Sequence, residues 1–330
     1  MRKILITGGA GFVGRHFCQR LLEAGDQVHC VDSVAQYTGG VHPDNRWPLF
    51  DPRDYENFSF HYQDCREFFQ KNHDTDFDYV FHLAAMVGGR LMIENNPLAV
   101  ADDLAIDSMY WQWAQSTRPG KSVCFSSSAA YPIKLQTREN NFLLKEDMID
   151  FTEDIGMPDM SYGWSKLTLE YLCRLAYEKH GLRSVSYRPF SGYGEDQDMT
   201  YPFPSICQRA LDNYGAETLM VWGSGLQMRD FIHIEDCVTG VLTTMDKVDN
   251  GEAINLSTGI LTNFRQLAGM MAEKAGYSPE IVSKSDKPEG VFARGGDTEK
   301  QKSLGFEYSI SLDQGIERAI GYLSSKAQKA

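Results

Sequence analysis

Short apolar runs rich in valine, isoleucine and phenylalanine recur through the first 190 residues, each followed by a longer stretch whose apolar positions return at helical spacing. The runs are 3–6, 27–31, 58–62, 79–83, 122–125 and 184–187. Runs that are apolar throughout mark strands covered on both faces, and strands separated by helices pair in parallel. The intervening stretches predict helices over about 12–24, 65–71, 95–117, 162–180 and 203–214. The expected fold class is α/β: a doubly wound parallel sheet. After residue 190 the rhythm breaks into loops, short strands at 219–222 and 254–256, and helices near 235–247, 262–275 and 311–326. This predicts a Rossmann-type domain over 1–190, with a stretch near 230–260 returning to it, and a smaller α/β substrate domain over 191–330. The segment 33–57, with Gly39-Gly40, Trp47 and three prolines, is long for a strand-to-helix connection and is expected on the surface near a ligand cleft.

Composition narrows the class. A hydrophobic content of 42% over 330 residues supports one large α/β core or two associated ones. With 45 acidic against 32 basic residues the net charge is -13, which disfavours a polyanion-binding surface, so no nucleic-acid partner is expected. The first apolar run, Ile4 to Ile6, is broken at once by Thr7 and Gly8, too early for a secretory leader or a membrane span. A cytoplasmic protein without a membrane partner is expected. The seven cysteines are scattered and odd in number, with no Cys-x-x-Cys pair, so they read as reduced packing residues and not as a disulfide framework or metal site.

Three features carry chemistry. Directly after the first strand comes Gly8-Gly9-Ala10-Gly11-Phe12-Val13-Gly14. Glycines at a strand-to-helix turn let the backbone approach a pyrophosphate at the N-terminus of the next helix. The second strand ends at Asp32, eighteen residues past Gly14, where a carboxylate can accept hydrogen bonds from adenosine ribose hydroxyls. A 2'-phosphate would be repelled there, so NAD is favoured over NADP. Finally, Tyr162 and Lys166 stand at i and i+4, one face of a helix, where the ammonium favours the ionised phenol. A free tyrosine ionises only near pH 10, so such help is what makes it a base near neutrality.

With these features in place, the chain resembles the extended short-chain dehydrogenase/reductases, specifically the nucleotide-sugar epimerase/dehydratase group. The matching motifs run in order: Thr7 to Gly14, Asp64-Cys65-Arg66, His82-Leu83-Ala84-Ala85, Ser126-Ser127-Ser128, Tyr162-x-x-x-Lys166, Arg188-Pro189-Phe190, Trp222-Gly223-x-Gly225 and Arg229-Asp230-Phe231-Ile232-His233. The resemblance implies that Gly8, Gly11, Phe12, Val13 and Gly14 hold the dinucleotide with Asp32, and that Asp64 and Cys65 flank the adenine. It further implies that Leu83, Ala84, Ala85 and Ser126 line the cofactor and that Lys166 binds the nicotinamide ribose. The catalytic Ser of the family, counted back from Tyr131, maps to Ser127 beside Tyr162, and a slip of one residue to Ser128 stays open. Val87, Gly88, Ser127, Ser128 and Ser191 are implied sugar or phosphate neighbours, Ser191 standing where the family usually has asparagine. Arg229, and Arg294 in the stretch 288–297, match the family's two diphosphate-binding segments; a guanidinium suits phosphate in charge and geometry.

Departures from the family pattern bear on the reaction. Dehydratases and sugar-acid decarboxylases of the group carry an acid just after the catalytic Ser or Thr, whereas this chain has Ser128-Ala129-Ala130. Local resemblance to GDP-mannose 3,5-epimerases and GDP-fucose synthases extends over Tyr62 to Arg66, Met86 to Gly89, Ala130-Tyr131-Pro132 and Trp222 to Arg229. Those enzymes need a cysteine two residues after the serine to protonate carbon, and here the position is Ala129; their basic partner on a later loop has no clear equivalent in Met199-Thr200-Tyr201-Pro202. The expected reaction is therefore NAD-dependent epimerisation of a nucleotide-diphosphate sugar at C4, which needs only Ser127, Tyr162 and Lys166. A net 4-keto-sugar reductase or dehydrogenase, a GDP-sugar 3,5-epimerase and, from another class, an NAD-sensing regulator are the alternatives. The resemblance also suggests surface-polysaccharide biosynthesis and a homodimer through helices 95–117 and 162–180. For that interface Met109, Tyr110, Trp111, Trp113, Leu169, Tyr171, Leu172 and Leu175 offer apolar surface, unless they pack on the chain's own sheet.

Overall fold

The computed structural model of the chain describes residues 1–36, 38–73, 75–86, 90–140, 142–284 and 290–327. Its elements begin β1 (Lys3–Thr7), α1 (Phe12–Glu23), β2 (Gln27–Asp32), β3 (Phe58–Tyr62), α2 (Cys65–Lys71), β4 (Tyr79–His82), α3 (Arg90–Asn95), α4 (Ala101–Thr117) and β5 (Ser122–Phe125). They continue with α5 (Met160–His180), β6 (Ser184–Pro189), β7 (Ser191–Tyr193), α6 (Pro202–Asp212), β8 (Thr218–Trp222), β9 (Met228–His233) and α7 (Ile234–Thr244). The last are β10 (Asn250–Leu256), β11 (Leu261–Asn263), α8 (Phe264–Lys274), β12 (Glu280–Lys284), β13 (Ala293–Arg294), α9 (Glu299–Ser303) and α10 (Leu312–Ala327).

Seven strands form one sheet in the order β10-β6-β5-β4-β1-β2-β3, and the pairs from β6 through β3 are parallel. Central strands are apolar because they are covered: Ile4, Leu5, Ile6, Val80, Phe81, Val123 and Cys124 are all fully buried. This is the Rossmann-type sheet that the strand runs predict. Strand order reverses at β1, whose neighbours are β2 and β4, so the turns after β1 and β4 diverge from one point. Such a switch point opens a crevice at the carboxyl ends of the strands.

The chain divides into two compact units. The first comprises Met1–Ala130, Met160–Arg188 and Val241–Ile254; the second comprises Tyr131–Asp159, Pro189–Gly240 and Asn255–Ala330. Within the second, β9 is flanked by β11 and β13 with β7 also beside it, and β8 pairs with β12 in parallel. Its core gathers Phe203, Ile206, Leu267, Met271 and Ile316 from α6, α8 and α10 against Leu219, Val221 and Phe231. All seven cysteines are buried free thiols. Among the described residues no helix is long and apolar enough to cross a membrane.

Two differences from the sequence expectation have local causes. The helix expected over 95–117 starts later: a separate short helix, α3, ends at Asn95, a turn follows, and α4 runs from Ala101 to Thr117. Pro97 lacks the N–H a continuing helix needs and turns Asn96 away from helical geometry. The aromatic residues expected at a subunit interface are spent in the chain's own core. Tyr110, Trp111, Trp113 and Leu169 pack with Phe68, Phe69 and Phe77 in the first unit, leaving Leu104 on α4 and Trp164 and Tyr171 on α5 exposed. In the segment 33–57, Trp47 is buried edge-on against Phe50 and Phe58 and donates from Nε1 to the Val41 carbonyl at 2.7 Å, which gives this surface segment an aromatic core.

Candidate active site

The glycine turn is built for close approach. Gly8 has φ of +72°, and a Cβ there would lie 2.8 Å from the backbone of Ala84, in the turn after β4. A Cβ on Gly14 would sit 2.3 Å from the Gly8 carbonyl oxygen, so the turn and α1 close on each other only with glycine at position 14. Gly11 begins α1 without a side-chain cap, and its first turn has no acidic residue. The amides of that turn and the positive end of the helix therefore suit an anion; Phe12 and Val13 beside them are half-buried. Asp32, at the end of β2, accepts from Ala10 N at 2.9 Å and Val34 N at 2.7 Å. Burial raises the Asp32 pKa, with those backbone bonds acting against the rise. Anion-suited amides on one side and a fixed carboxylate on the other fit a dinucleotide with a free 2'-hydroxyl.

Other residues expected around the cofactor are placed as follows. Asp64 caps α2 by accepting from Arg66 N at 2.8 Å and pairs with the Arg66 guanidinium at 2.7 Å, which holds its pKa below the usual value. Cys65 is buried in the apolar core, and burial pushes its thiol up to about 12. Leu83, Ala84 and Ala85 are half-buried after β4, tied to β1 by Leu83 N to Thr7 O at 3.1 Å and Ala84 N to Thr7 Oγ1 at 3.4 Å. Val87 and Gly88 lie outside the described residues.

Tyr162 and Lys166 lie on α5 with the Lys166 ammonium 5.6 Å from the centre of the Tyr162 ring. Lys166 is buried, and burial alone would favour its neutral amine. The Tyr162 oxygen and the carboxylates of Asp103 and Asp107 more than offset this and raise its pKa. Ser127 follows β5, half-buried, with its Oγ accepting from Ala129 N at 3.1 Å, and the single turn Ser128–Ala130 after it packs on α5. Ser126 is buried beside α5. Its hydroxyl donates to Glu170 on α5, whose carboxylate also takes two bonds from Arg188 of β6, at 2.8 and 2.6 Å, with all three residues buried.

In the second unit Arg229 and Arg294 are register neighbours on the parallel strands β9 and β13. Their heads are engaged differently. Arg229 lies 5.8 Å from the ring of Phe264, whereas Arg294 pairs with Asp159 at 2.6 Å and donates from Nε to Gln136 at 2.5 Å. Ser191 opens β7 beside Phe231, half-buried.

Four buried charged residues on or against α4 and α5 received no role from the sequence, the last being quoted only within the Arg188-Pro189-Phe190 motif: Asp103, Asp107, Glu170 and Arg188. A signal for three of them is present in the chain. Asp103 and Asp107 stand at i and i+4 on the apolar face of α4, and Glu170 stands four residues after Lys166.

A family model for the NAD dependent epimerase/dehydratase family matches residues 4–257. The chain is 28% identical to a Bacillus subtilis protein described as an uncharacterized UDP-glucose epimerase, with 99% of each chain covered. It is 27% identical to GDP-mannose 3,5-epimerase of Arabidopsis thaliana, over 99% of this chain and 83% of the relative. Among solved structures, UDP-glucose 4-epimerase of Thermotoga maritima with UDP-glucose is similar at a TM-score of 0.82 and 25% identity, covering 98% of this chain and 99% of that one.

Proposed function

Because the chain belongs to the NAD dependent epimerase/dehydratase family, we propose that it is a nucleotide-sugar epimerase acting at C4, with Tyr162 as the base. The observation that carries this reading is the Tyr162–Lys166 pair on α5, packed by the turn after Ser127, with no acid at Ser128, Ala129 or Ala130. NAD, when bound, supplies the capacity to take a hydride from C4 and return it. Tyr162 takes the proton of the 4-hydroxyl as that carbon becomes a ketone, and gives it back when the carbinol re-forms on the other face. Ser127 holds the same oxygen by a hydrogen bond. Lys166 keeps positive charge beside the phenol and binds the cofactor ribose. The first unit then carries the NAD site, with Asp32 at the adenosine ribose; Arg229 and Arg294, neighbours within the second unit, are suited to a diphosphate. UDP-glucose in the similar Thermotoga maritima structure supports a UDP-sugar as the first substrate to try.

A second reading, GDP-sugar 3,5-epimerase, is favoured by the Arabidopsis thaliana relative. Against it stands Ala129, buried and unable to transfer a proton at the position where the family pattern places cysteine. Incubation with UDP-, GDP-, CDP- and dTDP-sugars in deuterated water separates the readings. C4 epimerisation yields the epimer without solvent deuterium in the sugar and without net change at the reduced-nicotinamide absorbance band. Deuterium at C3 or C5 would instead identify 3,5-epimerisation, and a stoichiometric absorbance change would identify a net oxidoreductase.

We further propose that two copies pair through the outer faces of α4 and α5, where Leu104, Trp164 and Tyr171 are exposed. Light scattering should give twice the mass of one chain; a monomer at micromolar concentration would dispose of the dimer without touching the chemistry.

A further inference from the structure

Lys166 is a buried ammonium, and a buried ammonium keeps its proton only with a counter-charge nearby. Two carboxylates of α4 face it. Asp107 has Oδ1 3.1 Å from His82 Nε2 and Oδ2 buried without a hydrogen-bond partner, while His82 Nδ1 lies 2.9 Å from Thr7 Oγ1. Asp103, 1% exposed, takes Met86 N on Oδ1 at 2.5 Å and Ser165 Oγ on Oδ2 at 3.3 Å. Met86 begins the segment that contains Val87 and Gly88, and Ser165 is the residue before Lys166. One carboxylate thus touches the turn after β4 and the helix that carries the Tyr–Lys pair.

We infer that Asp103 is a positioning residue of the reaction, a buried counter-ion fixed by Met86 N that keeps Lys166 charged. This rests on the reading of Tyr162 and Lys166 as the proton-transfer pair. An asparagine or serine would satisfy Met86 N and Ser165 equally well, so hydrogen bonding alone does not require a charge here. The charge is kept at a cost: burial pushes the Asp103 carboxyl up to about 6, against the attraction of Lys166. The charged groups around it, among the described side chains, are Lys166 of α5 and Asp107 of α4, with His82 of β4 behind Asp107. Arg66 of α2 reaches Asp102 on the outer face of α4 instead.

The sign of the stability effect follows from that raised value. The proton on Asp103 is bound more tightly in the folded chain, so its favourable contribution is complete below about pH 4 and is lost as pH rises through about 6. Asp103→Asn carries no such loss. It should therefore melt at the same temperature as wild type or higher at pH 8, with the gap closing below pH 4. Its kcat should fall by about tenfold or more, one unit of lost ionisation in the pair being worth tenfold, and the acid-side inflection near pH 6 in the wild-type profile should disappear. Ser165→Ala, which removes the bridge to α5 and leaves every charge in place, should keep kcat within about twofold.

Two results would overturn the inference: wild-type kcat and pH profile in Asp103→Asn, or the same loss of kcat in Ser165→Ala. If the variant does not fold, carbon-13 carboxyl NMR of aspartate-labelled wild type decides. An aspartate titrating near pH 6 supports the buried counter-ion, and none above about 5 rejects it. Tyr162→Phe, assayed in parallel, separates the two levels. Full turnover in that variant would reject the underlying reaction, whereas a dead Tyr162→Phe beside an unaltered Asp103→Asn would reject the role of Asp103 alone.

Discussion

Tyr162→Phe should lower kcat by roughly 10²- to 10⁴-fold, the usual contribution of a positioned general acid–base, while leaving NAD affinity near that of wild type. Phenylalanine keeps the ring that lies 5.6 Å from the Lys166 ammonium and removes only the oxygen that carries the proton. The fold should survive, because Tyr162 is only half-buried and its oxygen is not part of the buried Glu170–Arg188 network. Two measurements are needed together: turnover on the nucleotide sugar, and NAD binding by calorimetry or fluorescence. Loss of turnover with binding retained is the signature of a base. Turnover within tenfold of wild type would end the assignment of Tyr162, and an NAD-sensing regulator would show no dependence on the hydroxyl at all.

The largest expected loss of stability lies one step behind the site. Glu170 and Arg188 form a bidentate pair with side chains 2% and 3% exposed, and Ser126 adds its hydroxyl to the same carboxylate. Replacing Glu170 with alanine strands a guanidinium in a dry interior, which costs about 3–5 kcal/mol in comparable buried pairs. Glu170→Gln keeps an acceptor but not the charge and should cost less, roughly 1.5–3 kcal/mol. The pair itself is not expected to be the source of stability. Replacing both partners at once, with Glu170→Leu and Arg188→Met, should recover most of the loss because no charge is then left unpaired. Urea denaturation of the three variants tests this. A cost below about 1 kcal/mol for Glu170→Ala would mean that water reaches Arg188 and that the pair is not desolvated. Since Ser126 precedes Ser127, the folded double variant also tells whether this bracing matters for turnover.

Much of the first unit was legible in the chain, and for a physical reason. Strand identity rests on runs such as Ile4-Leu5-Ile6, and a run buried on both faces needs no knowledge of its partners to be recognised. The glycines at 8 and 14 were legible because only glycine permits the observed closeness, 2.8 Å from Ala84 and 2.3 Å from the Gly8 oxygen. In the second unit less could be read. β9 was not anticipated, since Arg229 and Asp230 interrupt its apolar pattern. Asp230 is nevertheless buried, because Ser257, Thr258 and Gly259 all donate to its carboxylate. A polar residue satisfied by distant donors leaves no trace in local periodicity.

The chain by itself determined the alternation of strands and helices, the turn that suits a pyrophosphate, the carboxylate at the end of the second strand and the Tyr162–Lys166 spacing. Each is a short-range pattern whose meaning follows from backbone geometry over a few residues. Tertiary structure decided where the charges and aromatic rings went. It set Asp103 against Met86 and Ser165, closed Glu170 on Arg188, placed Arg229 and Arg294 in register, and drew Tyr110 and Trp113 into the chain's own core. Burial and pairing depend on which distant segments meet, and the field at Lys166 is made by residues that the chain brings together only when it folds.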